Sequence, residues 1–145
     1  MTLSEVRSAM MDKFATLSGV TVPQDPLPTR LEDKSIIVFP RSQRSEIVSK
    51  AVGRGIATRT PGMMQVEYHR RIGYEQVGSV MSDLATVTDS IDELCWKELA
   101  GGKFDGSIFN LEGVALEHLG ALGWNEWTFG VRLVVSFTYL TTIEP

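Results

Sequence analysis

The stretch Trp127–Ile143, WTFGVRLVVSFTYLTTI, decides how the rest of the chain can fold. Taken two residues apart, Trp127, Phe129, Val131, Leu133, Val135, Phe137 and Tyr139 form one set. Thr128, Gly130, Arg132, Val134, Ser136, Thr138 and Leu140 form the other. Successive side chains of a β-strand point to opposite faces, so the spacing predicts one long strand with an apolar face and a mostly polar one. Its β-branched and aromatic residues suit a half-buried pleated surface. A strand of this length is unstable alone and requires partner strands and a covering layer.

The other segments can supply both. Residues 2–17 carry Leu3, Val6, Met10, Phe14 and Leu17 at intervals of three and four, the stripe of an amphipathic helix. Thr2 followed by Glu5 has the form of a capping box, and Gly19 is a stop signal. Prolines 23, 26 and 28 make Val20–Ser35 a stiff, wandering connection. Ile36–Phe39 is a short apolar strand closed by Pro40. In Gly62–Tyr74, Met64, Val66 and Tyr68 alternate with Gln65, Glu67 and His69, which predicts a strand with a buried and a wet face. Val80–Leu99 is a second helix, with Val80, Leu84, Val87, Ile91, Leu94 and Leu99 largely on one side and acidic residues mostly elsewhere around it. Phe104–Leu111 is a short strand candidate, while the glycines of Leu111–Gly123 leave that segment ambiguous. The expected fold is therefore α+β: a mainly antiparallel β-sheet with two α-helices packed on one face, plus a long flexible loop.

That loop is Arg41–Pro61, RSQRSEIVSKAVGRGIATRTP. It holds Arg41, Arg44, Lys50, Arg54 and Arg59 against Glu46 alone, a surplus of four positive charges, whereas the remainder has nine basic and seventeen acidic residues, a deficit of eight. The segment shows no sustained period of either kind, and loops of such length inside a compact domain are commonly functional or disordered. It reads either as a solvated mobile loop or as an arm that orders against an acidic neighbour.

Composition narrows the classes of function. A chain of 145 residues with 43% hydrophobic and 22% charged residues fits a single soluble domain spanning 1–145. The net charge of −4 argues against wholesale nucleic-acid binding, which relies on clustered Lys and Arg. A single cysteine, Cys95, precludes an internal disulfide and any multi-cysteine zinc site. The N-terminus lacks a signal-peptide apolar core and no apolar run can cross a bilayer, so the expected location is a cytoplasm, with no membrane partner. Cys95 with His69 or His118 could form a thiol–imidazole pair, but Cys95 lies beside the apolar stripe of a helix, where buried thiols are common. No catalytic, metal or cofactor constellation is visible. Trp124 and Trp127, at the head of the long strand, suit either the core or a protein interface.

The leading helix TLSEVRSAMMDKFATL, the IIVFPR strand with its long arm, the strand GMMQVEYHRRIGY, the helix VMSDLATVTDSIDELCWKEL and the terminal strand opened by WNEWTFGVRLVVSFTY together resemble the tail-terminator proteins of long-tailed bacteriophages. These are the minor tail or tail-completion proteins, similar also to some neck proteins of contractile tails. The resemblance implies a non-enzymatic virion protein, assembled in the host cytoplasm, that forms a ring, typically a hexamer. Such a ring caps the tail tube protein, ends tail polymerisation and presents a head-joining surface to a head–tail connector or neck protein. Genomic DNA passes through the channel without sequence-specific binding, and an acidic channel would repel its phosphates. The arm Arg41–Pro61 maps onto the segment that orders upon assembly, which makes Arg41, Arg44, Lys50, Arg54, Arg59, Trp124 and Trp127 the expected interface residues. Three rivals stand beside this reading: another head–tail joining protein such as a neck adaptor, a small nucleic-acid-binding accessory protein using the basic arm, and an enzyme built on Cys95.

Overall fold

The structure, a computed structural model, describes residues 2–24, 32–43, 46–51, 55–71, 77–99, 109–121 and 128–143. The elements follow in the order α1 (Leu3–Phe14), β1 (Ser35–Gln43), β2 (Glu46–Ala51), β3 (Gly55–Arg71), α2 (Val77–Leu99), β4 (Phe109–Ala121) and β5 (Thr128–Ile143). The architecture is α+β, with an antiparallel sheet ordered β1-β3-β5-β4 and β2 also paired to β3.

The long terminal strand is central, as its pattern predicts. β5 pairs with β3 in unbroken register from Arg71↔Thr128 to Ile56↔Ile143 and with β4 on its other side. Its odd-numbered residues Val131, Leu133, Val135, Phe137 and Tyr139 join Ile36 and Val38 of β1 and Met64, Val66 and Tyr68 of β3 on one buried face. Val6, Met10 and Phe14 of α1 and Val80, Leu84, Ile91 and Cys95 of α2 fill the same core, so both helices cover that face. No helix among the described residues is long and apolar enough to cross a membrane.

α1 starts with the capping box. The Glu5 carboxylate accepts from the Thr2 backbone N–H at 2.8 Å, and Thr2 Oγ1 accepts from Glu5 N–H at 3.2 Å. The helix ends at Phe14, before Leu17, in tight turns from Lys13 and Phe14, and Gly19 then adopts φ 77°.

Two expectations need correction. Pro40 does not close β1, because the strand runs on to Gln43. β1 is an outer strand in this part of the sheet, where a missing ladder donor can be tolerated. The stretch Arg41–Pro61, expected as a long flexible loop, contains the end of β1, all of β2 and the start of β3. β1 and β2 succeed one another along the same side of β3, Ser35–Gln43 against residues 62–69 and Glu46–Ala51 against residues 55–59. Pairing on both sides of β3 overrides the weak local pattern there. The segment Leu111–Gly123, ambiguous in sequence, is strand as far as Ala121, the end of β4.

β4 is irregular for a definable reason. Its register shifts at Leu111/Gly113 and at Leu116/His118, leaving Glu112 and Glu117 as extra residues in two β-bulges. Each shift restores the phase, so that Phe109, Leu111, Val114, Leu116, Leu119 and Ala121 all stand opposite the odd-numbered residues of β5.

Candidate functional site

The far face of the sheet, turned away from the helices, is where the sequence led to the wrong expectation. Gln65, Glu67 and His69 alternate along β3, and Glu67 pairs across the ladder with Arg132 of β5. Rather than facing water, Glu67 is 5% exposed and His69 1% exposed. The Glu67 carboxylate accepts hydrogen bonds from Arg132 Nε at 2.9 Å and Gln65 Nε2 at 2.5 Å, and lies 2.9 Å from His69 Nε2. Burial alone would raise its pKa, but the hydrogen bonds from His69, Arg132 and Gln65 outweigh it and hold the carboxyl at about 2. Glu67 is therefore a fixed negative charge at neutral pH, satisfied on both oxygens. Two features of the sequence carry this cluster: hydrogen-bonding residues at i, i+2 and i+4 of one strand, and an arginine set within the apolar run VRLVV of its neighbour.

Arg41 and Glu117 form an ion pair between the two outer strands. Each is the extra residue of a β-bulge, Arg41 between Pro40 and Ser42 of β1 and Glu117 between Leu116 and His118 of β4. β1 and β4 are separated by β3 and β5, a distance of about 14 Å across a flat sheet. Two side chains close that gap only where the sheet curls its edges toward each other. A third bulge residue, Glu112, accepts from the Thr138 hydroxyl.

A second charged cluster ties the helix layer to one end of the sheet. Asp83 of α2 accepts from Tyr68 Oη at 2.9 Å and from the Arg70 guanidinium at 2.5 Å, while Asp33 accepts from Arg70 Nε at 3.2 Å and from the Arg71 backbone at 2.8 Å. Burial, reinforced by Asp83, raises the Tyr68 phenol above its ordinary value. The cluster fixes which side of α2 faces β3, with Asp83 on the inner flank.

The expected site residues scatter. Arg41 is exposed and bonded to Glu117; Arg59 is exposed in β3, opposite Glu46 and Leu140; Lys50 stands in β2 opposite Ile56. Arg44, Arg54, Trp124 and Trp127 lie outside the described residues. Cys95 is fully buried on the helix side, where burial and then Asp92 push its thiol up to about 12. Through their pairing with Gly130 and Arg132, His69 and His118 belong to the far face, so the sheet stands between the thiol and both imidazoles. Among the described residues no group of three or more His, Cys, Asp or Glu could hold a metal ion.

α2 carries acidic residues as expected, but most are engaged. Asp83 is held as above, Asp92 accepts from Trp96 Nε1 at 3.2 Å, and Glu93 pairs with Lys97 at 2.5 Å. Compared with known proteins, the sequence matches no family model and no curated protein.

Proposed function

We propose that this chain is a non-enzymatic structural protein of a long-tailed phage, closing into a ring, typically hexameric, on the end of the tail tube. In that role it stops tail growth and offers the head a joining surface. The observation that carries the reading is the reach of the β3–β5 ladder. Tyr139 and Thr60 are a buried pair of β5 and β3. Beyond them the two strands continue from Arg59↔Leu140 to Ile56↔Ile143, about 13 Å of further ladder, with β2 alongside. This ribbon belongs to the stretch with the surplus of four positive charges, in a chain whose remainder is acidic. A rigid body with a charged extension is the shape a head-to-tail ring requires, because each copy must present two different complementary surfaces.

The test is to mix the purified chain with assembled tail tubes and examine it by negative stain and native mass spectrometry. Rings seated on tube ends, with tubes that no longer elongate, are expected. A chain that leaves tube ends bare and elongation unaffected overturns the reading. Rings bound to the portal side in place of the tube assign it to a neck adaptor.

A further inference from the structure

We infer that Arg7 and the segment Val20–Gln24 guard the outer edge of β1, so that no strand of another copy can extend the sheet there. The guard acts in the same way whether or not the chain closes into a ring.

The sequence of β1 explains why its edge needs one. Ser35–Phe39, SIIVF, is rich in β-branched and aromatic residues and carries no charge. Such a run on an outer strand is a template for pairing with another chain. The helix side of the strand is covered by α1, which leaves the row of backbone groups turned away from β3 as the liability.

In an antiparallel pair, alternate residues turn both backbone groups toward the partner strand, and the residues between turn theirs outward. Ile36 and Val38 are outward residues. Ile36 N–H donates to the Thr21 carbonyl at 2.8 Å, and the Val38 carbonyl accepts from Arg7 Nε at 2.6 Å. Just ahead of the strand, the Lys34 carbonyl accepts from Thr21 N–H at 2.9 Å. Thr21 thus lies beside Ser35 as an isolated parallel bridge. A parallel ladder would next call on the N–H of residue 23, which is proline and has none. The backbone seal stops there, and Arg7 continues it with a side chain. Its guanidinium holds the Val38 carbonyl through Nε and the Gln24 carbonyl through Nη2, the latter at 2.7 Å. The next outward position is Pro40, which lacks a donor, and the bulge at Arg41 then breaks the register.

Both halves of the guard are anchored in the core. The capping box sets the start of α1, and the helix buries Val6 and Met10 on either side of Arg7 in sequence. Val20 and Val22 pack against the same core and keep their segment alongside β1. Arginine suits the task because its planar fork aims two N–H groups at two carbonyls at once, whereas a lysine head is a single point on a flexible stem. The other outer strand, β4, is blunted by different means. Bulges at Glu112 and Glu117 interrupt it twice, while Leu116 and Leu119 stay exposed on its helix side. At β1, contacts between copies are left to side chains.

The experiment compares full-length wild type, Arg7→Met and Thr2→Ala over a range of concentrations by sedimentation velocity, with amide hydrogen exchange read along β1. Arg7→Met keeps an aliphatic stem and loses both bonds, whereas Thr2→Ala weakens the same helix and leaves the guard in place. Arg7→Met should self-associate about tenfold or more tightly than wild type, as a few added ladder bonds provide, and Thr2→Ala should match wild type. In the associated Arg7→Met chain the Val38 amide should exchange more slowly than in wild type, because a neighbouring strand has taken it. Arg7→Lys, a milder change that keeps the charge and gives up the fork, should fall between the two. Equal association of Arg7→Met and wild type overturns the inference. Equal association of Arg7→Met and Thr2→Ala overturns it as well, since the effect would then come from a weakened helix. Added association that leaves the β1 amides exchanging at the wild-type rate also overturns it.

Discussion

Replacing Glu67 with glutamine tests the far-face cluster at its centre. The side chain keeps its shape but loses the charge that Arg132, Gln65 and His69 converge on. A carboxyl lowered from 4.5 to about 2 has its ionised form favoured by about 3 kcal/mol on folding. Arg132 is 34% exposed, so water screens its share, and about 2 kcal/mol is the expected loss at pH 7. Because the folded pKa is depressed, this stabilisation is present above the unfolded value and drains away as pH falls from about 4.5 toward 2. Urea unfolding followed by tryptophan fluorescence at a series of pH values is the assay. The gap between wild type and Glu67→Gln should be widest near neutrality and close in acid. Equal stabilities at pH 7, or a gap that stays constant down to pH 2, would refute the assignment of Glu67 as a buried charge held by its neighbours.

Other predictions concern the helix layer and the thiol. Asp83→Ala strips both Tyr68 and the buried Arg70 of an acceptor and should cost about 3 kcal/mol in denaturant unfolding, much of it from the guanidinium left behind. Thr2→Ala removes one half of the capping box and should lower stability by about 1 kcal/mol, read from the same transition. Arg41→Gln breaks an ion pair whose members are both well exposed and should cost less than about 1 kcal/mol, with the difference shrinking in high salt. Cys95 should react with a thiol reagent only once the chain unfolds, as its burial and raised pKa require; rapid labelling of the folded chain would contradict its place in the core.

Regular periodicity made most of the fold legible. β5 alternates without interruption, and its predicted start at Trp127 and end at Ile143 agree with Thr128–Ile143 to one residue at the start. α2 begins three residues ahead of the predicted Val80, and both helices lie on the predicted face. β4 hid because its apolar residues at 109, 111, 114, 116, 119 and 121 are spaced alternately two and three apart, matching neither strand nor helix until the bulges are known. The ribbon hid for another reason: β2 and the start of β3 take their structure from pairing, a non-local cause that local pattern cannot report. Of the expected site, Arg41 was found at the sheet edge but already bonded to Glu117. Alternation places Glu67 and His69 on the face away from the core but does not say whether that face is covered, and both are buried. The exposed Leu116 and Leu119 were invisible for the same reason.

The two bulges in β4 each take up one residue for which a regular ladder has no place. Without Glu117, Leu116 and His118 would be consecutive and would already stand opposite Leu133 and Arg132, so Leu119 and Ala121 would keep their side. Without Glu112 as well, the apolar residues of the strand would alternate strictly and the strand would pair as a regular one. What the two glutamates contribute is therefore a broken outline to an outer strand, and the two carboxylates that meet Arg41 and Thr138.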